Sequence, residues 1–206
     1  METARTLRFE YGSRGNGEES QSDTGAPEPN LKRPRIAETS IVEVHLVELI
    51  RDLEEANEDN DKHYGLFVWP SALLLSQFVA YQAASLCRGK TVLELGCGTG
   101  LPSILTALSG ASKVYLTDRA DADDIKRNAE ANIKMNKLEG RAEFISLAWG
   151  AMHVSSEIIS VLRSVEVILA ADCFYQTEGL TAASVFSVFP GVYLTLIISY
   201  LQTLRR

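Results

Sequence analysis

A glycine-rich turn near the middle of the chain constrains the fold more than any other feature. It follows an apolar segment and reads Glu94-Leu95-Gly96-Cys97-Gly98-Thr99-Gly100. Glycine tolerates the positive φ of a tight turn from strand to helix and lets the backbone approach a ligand where a side chain would clash. This glycine loop (residues 96–100) therefore predicts a small-molecule site at the carboxyl end of a buried strand.

The chain around the glycine loop alternates between strand and helix patterns. Strands are predicted over residues 91–95, 114–117, 142–147, 165–170 and 192–199, and helices over 102–108, 122–135, 157–162 and 180–189. Such alternation requires right-handed crossovers and a parallel sheet that is covered on both faces. The predicted fold class is α/β, a Rossmann-like doubly wound and mostly parallel sheet.

The first part of the chain has a different composition. Residues 1–38 are rich in Gly, Pro, Ser and Glu, and we expect a disordered tail because such a segment buries too little apolar surface to offset its ordering entropy. Residues 39–206 are expected to form the folded domain. It opens with an apolar run at 41–50, where a strand is preferred over a buried helix. An acidic loop at 54–61 and a helix that starts at Pro70 and ends by Gly89 follow.

Charge and composition exclude several classes of partner. The net charge of −7 opposes binding to a phosphate backbone and suits a cationic partner. No apolar run reaches the about 18 residues that a membrane helix needs. The three cysteines are widely spaced and lack a histidine cluster, so we expect neither disulfides nor a metal site. The sequence predicts no direct nucleic-acid contact and no membrane, and leaves the oligomeric state open, with a monomer among the options.

Two common interpretations of a glycine-rich turn do not suit this one. A dinucleotide fingerprint needs Gly or Ala where Leu101 stands, and a phosphate-binding P-loop needs Gly-Lys-Ser or Gly-Lys-Thr at a fixed spacing after its first glycine, which does not occur after Gly96. The pattern instead resembles the cofactor loop of the seven-strand S-adenosylmethionine-dependent methyltransferases, in which an acidic residue precedes a Gly-x-Gly-x-Gly turn. The resemblance implies S-adenosyl-L-methionine as the cofactor.

The same resemblance assigns roles to individual residues. It implies that Glu94 binds the amino-acid end of the cofactor, while Gly96, Gly98 and Gly100 lie close to its ribose and methionine portions. Asp118 stands at the end of the next predicted strand, where its two carboxylate oxygens can accept both ribose hydroxyl protons. The structural alternatives are a strand-end charge for Glu94 and a helix N-cap for Asp118.

Three further segments resemble the methyltransferase-like protein lysine and arginine methyltransferases. Asp172 and Tyr175 match an Asp/Glu-x-x-Tyr motif, residues 65–72 match a Trp-containing segment upstream of the glycine loop, and Trp149-Gly150 match a Trp-Gly pair. The resemblance covers about residues 40–178 and, within the family, is greatest to histone-arginine methyltransferases. It implies methylation of arginine or lysine in a protein, with histones and chaperones as candidate substrates, a role in chromatin regulation, and a location in nucleus and cytoplasm.

The resemblance also names the catalytic and remaining cofactor-binding residues. It implies that Asp172 orients a cationic substrate nitrogen and that Tyr175 forms a wall of the site. Trp69, Trp149 and Ala171 are expected to flank the cofactor. The structural alternatives are a helix cap for Asp172 and core positions for the two tryptophans. Residues 172–175 stand where methyltransferases acting on base amino groups carry Asn-Pro-Pro-Tyr, which favours protein substrates.

The length of the chain departs from the family pattern. That fold has seven strands in the order 3-2-1-4-5-7-6, yet only 34 residues follow Asp172, and a further helix and two strands need about 40. We therefore expect a domain truncated after the fifth core strand. Two hypotheses stay open, an active protein methyltransferase and a weakly active or inactive module that binds cofactor or a partner protein. A small-molecule methyltransferase is disfavoured by the Trp-containing segment.

Overall fold

The structure is a computed structural model that describes residues 2–11, 40–49, 64–147, 156–172 and 193–197. Within these ranges the strands are β1 (Glu2–Tyr11), β2 (Ser40–Leu49), β3 (Thr91–Leu95), β4 (Lys113–Asp118), β5 (Ala142–Ser146), β6 (Val167–Ala171) and β7 (Tyr193–Ile197). The helices are α1 (Pro70–Tyr81), α2 (Ala83–Leu86), α3 (Leu101–Leu108), α4 (Asp123–Met135) and α5 (Ser156–Ser164).

Five of the strands form one sheet in the order β5-β4-β3-β6-β7. Every neighbouring pair in it is parallel. The prediction of a doubly wound parallel sheet is therefore confirmed, and the observed order corresponds to the 3-2-1-4-5 part of the expected arrangement. The glycine loop follows β3, the central strand of this sheet.

Helices cover both faces of the sheet because alternate residues of each strand are apolar on opposite sides. On one face, Val92 and Leu116 pack into a core cluster that includes residues of α1, α3 and α4. On the other face, Leu93 and Ile168 pack against Leu162 of α5. The central strand is thus buried on both sides, which fixes the position of its carboxyl end.

Helix α3 is buried along almost its whole length. Its residues from Leu101 to Ala107 are all buried. Gly100, with a φ of 79°, forms the N-cap, and Pro102 stands in the first turn, where its missing N–H costs no intrahelical bond. The helix predicted at 102–108 is therefore confirmed, and it holds the far end of the glycine loop in the core.

The first strand corrects the expectation of a disordered tail. Glu2–Tyr11 pairs antiparallel with Ser40–Leu49 along its whole length, so the disorder predicted for residues 1–38 is wrong for this segment. Leu7, Phe9 and Tyr11 alternate with charged residues, and this pattern turns apolar side chains toward the domain, where Phe9 is buried. The strand predicted at 41–50 is confirmed as β2.

Several other predictions can be compared with the described residues. The helix predicted from Pro70 is confirmed as α1, and α2 follows it before Gly89. The loop at 54–61 and the helix at 180–189 lie outside the described residues. In the parts of the chain that the structure describes, no helix has both the length and the apolar character needed to cross a bilayer.

Candidate functional site

The parallel register brings three predicted site segments to one edge of the sheet. Leu95, the last residue of β3, pairs with Thr117 of β4 and with Ala170 of β6. The glycine loop, Asp118 and Ala171 come next along these three strands, so they lie side by side at the carboxyl edge. This is the edge where open α/β sheets bind their ligands.

The three glycines of the loop all adopt the left-handed backbone conformation. Their φ values are 62° at Gly96, 52° at Gly98 and 79° at Gly100. A Cβ atom at Gly98 would lie 2.9 Å from the carbonyl oxygen of Gly65. Contact between these two backbones places the loop directly against the Trp-containing segment.

Asp118 connects the end of β4 to the glycine loop. Its Oδ2 accepts a hydrogen bond from Gly98 N at 2.9 Å, and its Oδ1 accepts one from Arg119 N at 2.8 Å. Burial raises the pKa of Asp118, although these two backbone donors act in the opposite direction. Helix α4 begins at Asp123 with Ala122 as its N-cap, which excludes the N-cap alternative.

The remaining acceptor capacity of Asp118 fits a ribose. Each carboxylate oxygen can accept two hydrogen bonds, and the contacts with Gly98 and Arg119 use one on each oxygen. The side chain is partly exposed at the edge of the sheet. Asp118 can therefore fix the glycine loop and still accept two hydroxyl protons of a nucleoside.

Glu94 is the penultimate residue of β3 and is buried next to the same edge. Its Oε2 accepts hydrogen bonds from Ser103 N at 3.0 Å and from Ser103 Oγ at 2.5 Å. Burial raises the pKa of Glu94 to about 8, against the lowering effect of the two Ser103 donors. The side chain links β3 to the first turn of α3 rather than forming a solvated strand-end charge. Its contact with the amino-acid end of a cofactor stays a prediction.

The raised pKa of Glu94 predicts a pH-dependent stability. The folded protein keeps a proton that an ordinary glutamate, with a pKa of 4.5, would release. The stability that protonated Glu94 contributes is fully present below about pH 4.5 and is lost as the pH rises through about 8. We expect the free energy of unfolding to fall over this window by up to about 5 kcal/mol, and Glu94→Gln to remove most of the fall.

Urea unfolding at pH 5 and pH 8.5 measures this effect. Gln keeps the shape and one acceptor for Ser103 but cannot ionise. Glu130→Gln, on the exposed face of α4, is the matched control and should behave as the wild type. An equal dependence on pH in the wild type and in Glu94→Gln would contradict the assignment to Glu94.

Trp69 occupies a partly exposed position at the N-cap of α1. Its side chain is 40% exposed, and Nε1 donates a hydrogen bond to the carbonyl oxygen of Tyr64 at 3.0 Å. The ring also lies tilted against that of Tyr64, with 5.9 Å between the centroids. The core alternative for Trp69 is therefore excluded. Trp149, its predicted counterpart, lies outside the described residues.

Asp172 is the first residue after β6 and has an unusual backbone conformation. Its φ is 53°, and Lys137 is the other non-glycine residue with a positive φ in the ranges that the structure covers. Aspartate tolerates this conformation better than most residues, yet it remains costly, and such outliers cluster at functional sites. The position of Asp172 at the carboxyl edge supports its predicted role. Tyr175 lies beyond the described residues.

Some residues of the site were missed by sequence reasoning. Ser103 is the partner of Glu94, and the sequence signal for it is a polar residue in the first turn of a helix that is apolar apart from Ser103 and Thr106. Asn132 donates a hydrogen bond from Nδ2 to the carbonyl oxygen of Thr99, inside the glycine loop, at 3.0 Å. Its signal is the recurrence of Asn at 128, 132 and 136, a spacing that places the three amides on one helix face.

The fold and the site together define a class of protein. A glycine loop follows the central strand of a parallel sheet, and the acidic residue at the end of the next strand retains acceptors for a ribose. The loop carries no lysine for a phosphate. These features fit S-adenosylmethionine, a nucleoside cofactor without phosphate, and define an S-adenosylmethionine-dependent methyltransferase.

Comparison with known proteins gives the family. A family model described as lysine methyltransferase matches residues 51–185, and the chain belongs to this family of S-adenosylmethionine-dependent protein methyltransferases. Histone-arginine methyltransferase METTL23 of Xenopus laevis is 40% identical over 115 residues, which are 56% of this chain and 47% of that protein. Protein-lysine methyltransferase METTL21E of Mus musculus is 37% identical over 114 residues, which are 54% and 46%. The chain spans about half the length of these relatives.

A solved structure also aligns with part of the chain. The C-terminal domain of precorrin-6Y C5,15-methyltransferase from Rhodobacter capsulatus aligns with 66% of this chain and 64% of its own, at 19% identity and a TM-score of 0.43. The fold class follows from the strand order of the sheet and from the family match.

Proposed function

We propose that this chain transfers a methyl group from S-adenosylmethionine to a side-chain nitrogen of arginine or lysine in a protein. The observation that carries the proposal is the placement of Asp172 at the carboxyl edge beside the glycine loop, in a costly backbone conformation. The names of the relatives support both amino acids, because one is a histone-arginine and another a protein-lysine methyltransferase. A histone is the first substrate to test, and a chaperone the second.

The chemistry asks for alignment more than for acid or base strength. S-adenosylmethionine supplies a methyl group on a positively charged sulfur. The protein has to place the substrate nitrogen in line with that methyl group and exclude water. In this proposal Asp172 holds the positive charge of the incoming guanidinium or ammonium group and orients its nitrogen as the proton leaves. Tyr175 adds an aromatic wall that favours a cation.

The overall charge of the chain supports a cationic substrate. The net charge of −7 attracts basic segments such as those of histones and raises their encounter rate. It also disfavours a nucleic acid as the substrate. The proposed specificity therefore agrees with the long-range charge of the protein as well as with Asp172.

Radiolabelled methyl transfer tests the proposal. The chain is incubated with methyl-labelled S-adenosylmethionine and, in separate reactions, with core histones and with a chaperone, and the labelled residue is identified by mass spectrometry. Label on arginine or lysine supports the proposal. Cofactor binding without transfer to any protein overturns it in favour of a cofactor-binding module. Label on a small molecule alone assigns the chain to another substrate class.

Asp118→Asn is expected to weaken binding of S-adenosylhomocysteine by about 30-fold, because a charge-assisted hydrogen bond contributes roughly 1.5–3 kcal/mol. Asn also replaces one oxygen by a donor, so it cannot accept from Gly98, Arg119 and two hydroxyls together. Isothermal titration calorimetry measures the affinity. Asp121→Asn is the control, because it removes an exposed carboxylate from the segment between β4 and α4. Its affinity for S-adenosylhomocysteine should equal that of the wild type. A loss below threefold for Asp118→Asn would contradict the ribose assignment.

A further inference from the structure

The β1–β2 hairpin is joined to the domain by side-chain amides of α4 and of Asn136, the residue that caps its carboxyl end. It lies outside residues 51–185, the range that the family match covers. Asn132 accepts from Val47 N with Oδ1 at 2.7 Å and donates to Val47 O with Nδ2 at 3.2 Å. Asn136 makes the same pair of bonds to His45 N at 2.9 Å and to His45 O at 2.6 Å. Both amides therefore bind β2 as a neighbouring strand would.

The spacing of these amides matches the geometry of a strand. Residues four apart on a helix are separated by about 6.0 Å along its axis, while residues two apart on a strand are separated by about 6.6 Å. Asn132 and Asn136 can therefore reach Val47 and His45 at the same time. Asn128 extends the row, because its Nδ2 also donates to Val47 O at 3.0 Å. We call these three residues the asparagine ladder.

The asparagine ladder also reaches the cofactor site. Asn132 is fully buried, and its Nδ2 donates to the carbonyl oxygen of Thr99 at 3.0 Å. Asp118 accepts from the neighbouring residue, Gly98, on the side of β4. The glycine loop is thus fixed by one side chain from α4, which also binds the hairpin, and by one from β4.

A second contact joins the hairpin to the Trp-containing segment. Glu48 of β2 is buried, and its Oε1 forms an ion pair with Arg5 of β1. Its Oε2 accepts a hydrogen bond from Val68 N at 3.1 Å. Val68 immediately precedes Trp69, so the hairpin fixes the backbone next to a predicted cofactor contact. The connection to the glycine loop runs through Asn132, which binds Val47, and the connection to the Trp-containing segment is made by Glu48, the next residue of β2.

We propose that the β1–β2 hairpin is a positioning element of the cofactor site. Asn132 and Glu48 are the positioning residues, since they connect β2 to the glycine loop and to the backbone of Val68, next to Trp69, without belonging to the predicted cofactor contacts. This inference rests on the cofactor site of the proposed function. It does not depend on which protein is methylated or on whether arginine or lysine receives the methyl group.

Paired substitutions in the asparagine ladder test the proposal. Asn132→Asp and Asn136→Asp each replace a donor to β2 by a carboxylate oxygen, but Asn132 alone of the two contacts the glycine loop. We expect both variants to lower the melting temperature. Hydrogen exchange of amides 96–100 without cofactor should rise at least fivefold for Asn132→Asp and stay near wild type for Asn136→Asp. The Kd of S-adenosylhomocysteine should rise about tenfold for Asn132→Asp and less than twofold for Asn136→Asp.

The outcomes separate positioning from stabilisation and from the proposed function. Equal changes in loop exchange and Kd for both variants, or none in either, would show that the hairpin only stabilises the fold and overturn the proposal. Wild-type protein that binds S-adenosylhomocysteine but transfers no methyl group would overturn the proposed function and leave the positioning role intact. Wild-type protein that fails to bind would overturn both.

Substitutions at Glu48 test the second contact and do not require Asn132→Asp to fold. Glu48→Ala removes the acceptor for Val68 N, while Glu48→Gln loses the charge but keeps an acceptor oxygen. We expect a Kd for S-adenosylhomocysteine about fivefold higher for Ala, since a hydrogen bond contributes roughly 1 kcal/mol, and within twofold of wild type for Gln. Equal weakening by both would assign the effect to the ion pair with Arg5 and overturn the role of Glu48.

Discussion

Asp172→Asn is expected to lower kcat for methyl transfer by about 100-fold, within the range that one positioned acid–base or electrostatic group contributes. Asn preserves the shape of the side chain and tolerates a positive φ, which is 53° at this position, so the fold should be retained. The negative charge that would hold a cationic substrate is lost. Initial rates with labelled S-adenosylmethionine measure the loss, and calorimetry with S-adenosylhomocysteine should show binding within twofold of wild type.

Asp172→Gly provides the matched control for the backbone. Glycine adopts a positive φ without strain but lacks the side chain altogether. Both variants should therefore lose turnover while their melting temperatures stay at or above that of the wild type. Unchanged turnover in Asp172→Asn would remove the charge from the mechanism, and a loss of cofactor binding in both variants would assign Asp172 to the cofactor instead.

Gly100→Ala is expected to lower the free energy of unfolding by about 3 kcal/mol, from backbone strain together with overpacking. The φ of Gly100 is 79°, and a Cβ atom there would lie 2.6 Å from Cδ2 of Leu116, a fully buried side chain. The nearest atom is the tip of the Leu116 side chain, which would have to shift within the packed core to admit the added methyl group. Urea unfolding monitored by circular dichroism measures the change.

Gly89→Ala isolates the strain from the packing. Gly89 has a φ of 70°, and no atom lies within 4 Å of a Cβ built there. We expect a loss of about 1 kcal/mol, due to the backbone conformation alone. Equal losses for Gly89→Ala and Gly100→Ala would show that the contact with Leu116 relaxes freely, and that the glycine at position 100 is required only by its φ.

Local patterns were sufficient to predict the central sheet. The apolar strand before the glycine loop and the helix after it are consecutive in sequence, and their periodicities differ clearly. The parallel arrangement follows from alternation of strands and helices. Once the order of strands is known, Asp118 and Ala171 must lie at the same edge as the loop. These site residues could therefore be brought together without coordinates.

Contacts between distant segments could not be predicted in the same way. The partner of β1 begins at Ser40, after residues 12–39, whereas the turns that identify a hairpin in sequence have about two to five residues. The alternation of Leu7, Phe9 and Tyr11 with charged residues indicates a strand, whereas the Gly- and Pro-rich composition of residues 1–38 as a whole favours disorder. The contact of Gly98 with Gly65 depends on tertiary packing, and no local pattern encodes it.

The asparagine ladder recognises the main chain of β2 rather than its side chains. The bonds that Asn132 and Asn136 make to β2 involve the main-chain N–H and C=O groups of Val47 and His45, which every residue except proline possesses. The attachment therefore places little restriction on residue identity at positions 45 and 47. The outward-facing side chains of the β1–β2 hairpin can therefore change, and with them the proteins that the hairpin binds, while its hydrogen bonds to the asparagine ladder are retained.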